Sequence, residues 1–80
     1  TIFCPWELRG KVMRTLITEK TEDRIELVEG IKFIFQNGWT LILPDSHMPL
    51  FRIYSEGTTK KIASELSQKY INKVKEIINF

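Results

Sequence analysis

The sequence has few of the residues that build special sites. Its 80 residues include one cysteine, Cys4, and one histidine, His47. A single cysteine cannot form an internal disulfide, so nothing points to an oxidising compartment, and we expect a cytoplasmic protein. A metal site needs three or four converging ligands, which one histidine and one distant cysteine do not supply. The sequence therefore predicts neither a disulfide framework nor a metal site.

Long apolar runs and strong charge of one sign are also missing. No stretch approaches the roughly 20 apolar residues that cross a bilayer, so we expect no membrane partner. The formal net charge is only +2, whereas nucleic-acid-binding domains concentrate many more Lys and Arg on one face, so we expect no nucleic acid either. No glycine-rich loop precedes a helix, which excludes the common nucleotide cradles.

What is present fits a small folded domain. With 42% hydrophobic and 28% charged residues, the composition is typical of a globular protein. Eighty residues suffice for one domain. Because the chain begins with Thr1 and not with methionine, we expect residues 1–80 to be a single domain cut from a longer protein.

Apolar residues recur at helical spacing near both ends of the chain. Pro5 and Glu7 mark a helix start, and the spacing after them predicts a helix over residues 5–19 with Arg9 turned away from the core. Gly10 lies inside this helix at a cost of about 1 kcal/mol relative to alanine, which indicates close packing there or a weak turn. A second helix is predicted over residues 59–78. Its apolar stripe consists of Ile62, Leu66, Tyr70, Val74 and Ile77.

Between the helices the period changes to the alternation of strands. We expect strands over residues 24–29, 31–36 and 50–56, with one more after the Asn37-Gly38 dipeptide. That dipeptide predicts a type I′ hairpin in which Gln36 faces Trp39. The order predicts the α+β class, an antiparallel four-stranded sheet with two helices on one face, and leaves open a short first strand at residues 1–3.

The predicted hairpin places apolar side chains on both faces of the sheet. Phe33, Phe35, Thr40 and Ile42 share one face, and Ile34, Trp39 and Leu41 share the other. An outer sheet face is usually polar. Either the second face therefore meets another surface, or a bulge rotates part of one strand.

The residues offer no convincing catalytic group. Ser46 and His47 are adjacent on a loop predicted to be extended, where neighbouring side chains point apart, and no third group accompanies them. The aromatic residues of the sheet are not interleaved with basic ones, so core packing accounts for them better than base stacking does. No catalytic residue is predicted.

Three features carry a family resemblance: the segment CPWELRGKVMR, the Asn37-Gly38-Trp39 turn, and the strand end Tyr54-x-Glu56. Over nearly all of residues 1–80 the sequence resembles the C-terminal domain of the phosphohexomutases, the phosphomannomutase and phosphoglucomutase group. The resemblance implies the fold also seen in the TATA-binding protein, with the order β-α-β4-α. It also implies that the phosphorylated serine and the magnesium loop belong to other domains. We thus expect no catalysis and no cofactor in this chain alone, and magnesium in the parent if its mutase module is intact.

The family loop that grips the sugar's phosphate typically reads R-P-S-G-T-E-P. Here Leu43 stands at the arginine, Asp45 at the serine, Ser46 at the glycine and His47 at the threonine, and only the two prolines are kept. A lost cation and an added carboxylate together weaken phosphate binding by about three decades. The resemblance therefore implies a weak site on Ser46, His47 and the strand residue Arg52.

The L-P-D form of this loop resembles the mutase-like tail of proteins in which a mannose-1-phosphate guanylyltransferase-type nucleotidyltransferase is joined to a phosphohexomutase-like module. This implies a closing domain of a sugar-phosphate protein, whose partners are other domains of the parent chain and, as an open option, a sugar phosphate. The alternative is an interaction or oligomerisation module that uses the second apolar sheet face around Ile34, Trp39 and Leu41. The least favoured alternative is a small nucleic-acid binder, suggested by the mild positive net charge.

Overall fold

The computed structural model describes residues 1–19, 24–27 and 29–79. The elements are strand β1 (Ile2–Phe3), a 3-10 turn (Trp6–Leu8) that runs into helix α1 (Arg9–Thr18), strands β2 (Arg24–Leu27), β3 (Ile31–Phe35), β4 (Gly38–Pro44) and β5 (Leu50–Gly57), and helix α2 (Lys60–Ile78). The strands form one antiparallel sheet in the order β1-β5-β4-β3-β2. The predicted α+β class and element order are confirmed. The sheet has five strands and not four because β1 pairs with the start of β5.

The core lies between the two helices and one face of the sheet. Phe33 of β3 stacks on Tyr70 of α2, with ring centroids 4.8 Å apart and an interplanar angle of 11°. The sheet members of the core lie on the same face by register, so both helices cover that face, as predicted. The buried apolar cluster consists of Ile2, Cys4, Val12, Leu16, Ile31, Phe33, Ile42, Phe51, Tyr70, Val74 and Ile77.

Helix α2 begins where its sequence predicts. The Oγ1 of Thr59 accepts a hydrogen bond from the backbone N–H of Ile62 at 3.1 Å, which satisfies one of the free amides of the first turn. Of the predicted stripe, Tyr70, Val74 and Ile77 are buried, and the two residues nearer the start are half-buried. None of the helices in the described part of the chain is long and apolar enough to cross a bilayer.

The β3–β4 hairpin differs from its predicted register by two residues. Ile34 pairs with Trp39 and Phe35 with Gly38, so Gln36 and the following asparagine form the turn. No glycine in the described part of the chain has a positive φ, so the predicted type I′ turn is wrong. Gly38 is required for another reason, because a Cβ there would collide with a backbone carbonyl oxygen of β5. A shift of two residues returns each side chain to the same face, so the predicted faces are correct.

The outer face of the sheet is partly apolar. Ile34, Trp39 and Leu41 are half-buried there, and the β3–β4 and β4–β5 pairs run in unbroken register, so the bulge alternative is wrong for these strands. The Nε1 of Trp39 donates to Glu56 Oε2 at 2.9 Å, and the Nζ of Lys32 lies 4.6 Å from the centroid of the Trp39 ring. Two local polar partners therefore contact Trp39 on this face.

The strand predicted over residues 24–29 ends earlier. The described part of this strand is β2 (Arg24–Leu27); Val28 lies outside the described residues, as do residues 20–23. Glu29 has φ 61°, in the left-handed region that non-glycine residues rarely adopt. The chain therefore turns at Glu29 and does not continue as a strand.

Candidate functional site

The loop between β4 and β5, residues 45–49, is tied down at both ends. The backbone N–H of Asp45 donates to the carbonyl oxygen of Leu50 at 3.0 Å, which continues the pairing of β4 with β5. On the opposite side, the N–H of Cys4 donates to the carbonyl oxygen of Pro49 at 2.8 Å. The loop is thus held between the sheet and the chain segment that follows β1.

The carboxylate of Asp45 organises the interior of this loop. Its Oδ1 accepts hydrogen bonds from the backbone N–H groups of His47 at 2.8 Å and Met48 at 2.9 Å. Its Oδ2 accepts a hydrogen bond from the Nε of Arg52 at 3.0 Å. The two backbone hydrogen bonds, with Arg52 adding to them, lower the pKa of Asp45 from 3.8 to about 2. Three donors that could hold an external anion therefore converge on the loop's own carboxylate; we call this convergence point the anion position.

This arrangement changes the electrostatic picture expected from the sequence. Asp45 was expected to act as an uncompensated anion that repels phosphate, but its side chain is paired with Arg52 and only 16% exposed. The guanidinium of Arg52, which was expected to contribute to a weak phosphate site, is therefore already engaged by Asp45. The obstacle to an incoming phosphate is therefore occupation of the anion position as well as repulsion.

Ser46 and His47 contact each other, contrary to expectation. The Oγ of Ser46 lies 2.7 Å from the Nδ1 of His47, and both residues are exposed. The loop is not extended here. The carboxylate of Asp45 accepts hydrogen bonds from the backbone N–H groups of His47 and Met48, and this folds the chain back on itself. In the described part of the chain no carboxylate or other third group is hydrogen-bonded to the His47 ring, so the pair lacks the orienting partner of a nucleophile and its base.

The loop forms one wall of a shallow surface cavity of about 390 Å³. Leu43 pairs with Arg52 across β4 and β5. Glu29 reaches the cavity from the turn before β3, where the adjacent Gly30 packs so closely on β4 that a Cβ would collide with the carbonyl oxygen of Ile42. The cavity is lined by Glu29, Leu43, Pro44, Asp45, Ser46 and Arg52.

The sequence did not associate Glu29 with this site. It falls at the end of the strand predicted over residues 24–29, and the one local signal is the glycine that follows it. The cavity thus contains the carboxylates of Glu29 and Asp45 and the guanidinium of Arg52. A second carboxylate in the wall makes the cavity less favourable to a phosphate dianion than the loop sequence alone indicates.

Arg9 was also missed, and its expected orientation is wrong. Its Nη2 donates to the carbonyl oxygen of Met48 at 3.0 Å, and its guanidinium carbon lies 4.3 Å from the centroid of Trp6 and 5.8 Å from that of Phe51. The 3-10 turn that precedes α1 changes the angular position of Arg9 relative to α-helical spacing. Arg9 therefore connects the start of α1 with the β4–β5 loop and does not face away from the fold.

The described residues offer neither a metal site nor a reactive thiol. No three His, Cys, Asp or Glu side chains within residues 1–19, 24–27 and 29–79 are grouped closely enough to hold a metal ion. The thiol of Cys4 is fully buried, its Sγ lies 3.5 Å from the carbonyl oxygen of Pro5, and burial raises its pKa. A buried thiol with a raised pKa is a poor nucleophile.

The fold and the loop together define an α+β domain with a proline-flanked loop. The loop's own carboxylate, that of Asp45, occupies its anion position. No family model matches the chain. Among curated proteins, the probable phosphoglucosamine mutase of Methanopyrus kandleri is 34% identical over 80 residues, which cover 98% of this chain and 18% of that protein. The probable phosphoglucosamine mutase of Pyrococcus furiosus is 36% identical over 80 residues, 94% of this chain and 18% of that protein.

A third relative, the phosphoglucosamine mutase of Methanocaldococcus jannaschii, is 41% identical over 54 residues, 68% of this chain and 12% of that protein. The chain thus spans less than a fifth of the length of these relatives. The similarity is consistent with a C-terminal phosphohexomutase domain and supports the resemblance read from the sequence. None of the three relatives is a guanylyltransferase.

Proposed function

We propose that the chain is the closing domain of a phosphohexomutase-like sugar-phosphate protein, in which the β4–β5 loop contributes one wall of the substrate cleft without anchoring phosphate strongly. The similarity to phosphoglucosamine mutases supports the first part of this proposal. The second part is supported by the carboxylate of Asp45, which already accepts hydrogen bonds from His47, Met48 and Arg52. An incoming phosphate must displace this carboxylate or bind beside it.

The parent protein then supplies everything that the chain lacks for chemistry. Its other domains would carry the phosphorylated serine and, where the mutase module is intact, the magnesium site, and they would be the partners of this domain. The relatives favour a parent that is itself a sugar-phosphate mutase, an isomerase of carbohydrate metabolism. The L-P-D loop favours a module fused to a mannose-1-phosphate guanylyltransferase. The substrate under either reading is a hexose phosphate.

The loop can be tested by NMR titration of the chain with glucosamine 6-phosphate, mannose 1-phosphate and glucose 1-phosphate. We expect no saturation below millimolar ligand at residues 45–49. The double variant Leu43→Arg/Asp45→Ser, which restores the family residues at both positions, should bind at least about tenfold more tightly because a charge-assisted hydrogen bond is gained and the internal carboxylate is removed.

A matched control separates the two changes in this variant. The single variant Leu43→Arg keeps the carboxylate of Asp45, so the added guanidinium is drawn into the existing ion pair and should gain little affinity. Sub-millimolar binding by the unmodified chain, with shifts centred on residues 45–49, would contradict the proposal. So would tight binding by the single variant.

A second candidate function rests on the outer face of the sheet. Ile34, Trp39 and Leu41 are half-buried there, and on the same face Tyr54 is 48% exposed and Phe3 is 68% exposed. Exposed aromatic side chains grouped on one face are common at protein interfaces. Sedimentation of the chain at high concentration tests for oligomers, and the variant Tyr54→Lys should dissociate any oligomer that forms through this face. A chain that stays monomeric excludes oligomerisation.

A further inference from the structure

Met48 is held from two sides in the β4–β5 loop. Its backbone N–H donates to the Oδ1 of Asp45 at 2.9 Å. Its carbonyl oxygen accepts two hydrogen bonds, from the N–H of Leu50 at 2.8 Å and from the Nη2 of Arg9 at 3.0 Å. Within the described residues, Arg9 is the one side chain from outside β4, β5 and their loop that hydrogen-bonds residues 46–48. The start of α1 therefore holds the loop through Met48.

The guanidinium of Arg9 is itself fixed in place. Its central carbon lies 4.3 Å from the centroid of the Trp6 ring and 5.8 Å from that of Phe51, a fully buried residue. Its Nε is enclosed by protein atoms, and no carboxylate in the described part of the chain forms an ion pair with it. A planar guanidinium stacked on aromatic rings loses little further freedom when it donates a hydrogen bond. Arg9 is thus a rigid donor directed at Met48.

The contact between Arg9 and Met48 bears on the anion position. Met48 supplies one of the two backbone N–H groups that converge there, and the neighbouring His47 supplies the other. The N–H and the C=O of one residue are related by only two soft backbone angles. A donor that fixes the C=O of Met48 therefore restricts the direction of its N–H. In this way Arg9 acts on the anion position through Met48, without a hydrogen bond to the anion itself.

We propose that Arg9 is a positioning residue for the anion position: it holds Met48 so that the loop amides converge on an anion, whether the carboxylate of Asp45 or a ligand phosphate in its place. For the phosphate the inference rests on the proposed function, whereas the carboxylate already lies there. Donors that are oriented before the anion arrives bind it more tightly than donors that must be ordered on binding. Arg9 therefore contributes to affinity although it is not among the residues that line the cavity.

The titration of Asp45, followed by NMR at its carboxyl carbon, tests the proposal. The two backbone hydrogen bonds, with Arg52 adding to them, lower the pKa of Asp45 from 3.8 to about 2. The variant Arg9→Met removes the guanidinium and keeps an unbranched side chain. The pKa of Asp45 should then rise from about 2 toward 3.8, because the hydrogen bonds from the loop amides to its charged form weaken. Arg14→Met is the matched control, since it removes the same charge from an exposed position of α1, and it should leave the pKa near 2.

High salt separates positioning from the loss of a charge. Both variants keep the charged and titratable groups near Asp45, which are Arg52, Glu29 and His47. In 1 M NaCl, where the Debye length is about 3 Å, the rise in Arg9→Met should persist. A pKa that stays near 2 in folded Arg9→Met, that rises equally in Arg14→Met, or that returns to its original value in salt would overturn the proposal. If Arg9→Met does not fold, Arg9→Gln is subject to the same three outcomes, because its shorter side chain does not reach Met48.

A second measurement addresses the phosphate. In the Leu43→Arg/Asp45→Ser background, adding Arg9→Met should weaken the binding of inorganic phosphate at least about fivefold, because the loop amides must then be ordered on binding. Adding Arg14→Met should leave the affinity unchanged, and equal affinities of the two would overturn the proposal. If this background binds no phosphate, the proposed function of the loop fails, and the titration of Asp45 still decides the role of Arg9.

Discussion

Replacing Gly10 with alanine is expected to stabilise the chain. Gly10 is exposed in α1, one residue after the helix begins, and a Cβ built there meets only the guanidinium of Arg14, with the Nη1 at 3.1 Å and the Cζ at 4.0 Å. The end of an arginine side chain moves away at little cost. Neither close packing nor backbone strain therefore opposes the added methyl group.

The expected size of the effect follows from these surroundings. Alanine is favoured over glycine inside a helix by about 0.5–1 kcal/mol, because glycine loses more backbone freedom on folding. For a domain of this length, 1 kcal/mol corresponds to roughly 4–8 °C in Tm. The variant Gly10→Ala should therefore melt about 2–8 °C higher, as measured by circular dichroism at 222 nm.

Gly38→Ala is the matched control, since it adds the same methyl group to a strand. A Cβ at position 38 would collide with the carbonyl oxygen of Glu56 and lie 2.9 Å from the Cα of Gly57. Both neighbours are backbone atoms of β5, so the variant should be destabilised by about 1–3 kcal/mol. A lower Tm for Gly10→Ala would refute the open surroundings assigned to Gly10. An unchanged Tm for Gly38→Ala would refute the close approach of β4 and β5.

Two further predictions concern titratable groups. The pKa of Asp45 is depressed to about 2, so its carboxylate stabilises the folded loop above its ordinary pKa, and this contribution is lost as the pH falls through about 2. The amide resonances of His47 and Met48 should therefore titrate with a midpoint near 2 and not near 4, and the variant Asp45→Asn should lack this step. Cys4 is fully buried with a raised pKa, so it should react with Ellman's reagent only after unfolding in guanidinium; rapid reaction of the folded chain would contradict its burial.

Local patterns in the sequence were sufficient for the elements and their faces. The helical spacing from Ile62 to Ile77 predicted α2, because that period depends on the backbone of that segment alone. The alternation of β3 and β4 likewise predicted which side chains enter the core. The sequence was less reliable for the hairpin. Asn37-Gly38 indicated a type I′ turn, whereas the structure requires glycine at position 38 because β5 packs closely against it.

The candidate site depended on contacts that no local pattern encodes. The resemblance read from the sequence puts Leu43 and Asp45 where the family loop has arginine and serine, and from this it predicts weak phosphate binding. Only the tertiary structure showed that Arg52 on β5 pairs with Asp45, that Arg9 reaches the loop from α1, and that Glu29 enters the cavity wall. Periodicity and capping follow from short-range backbone geometry, whereas these contacts join segments far apart in the chain, and their positions are set by how the sheet and helices pack.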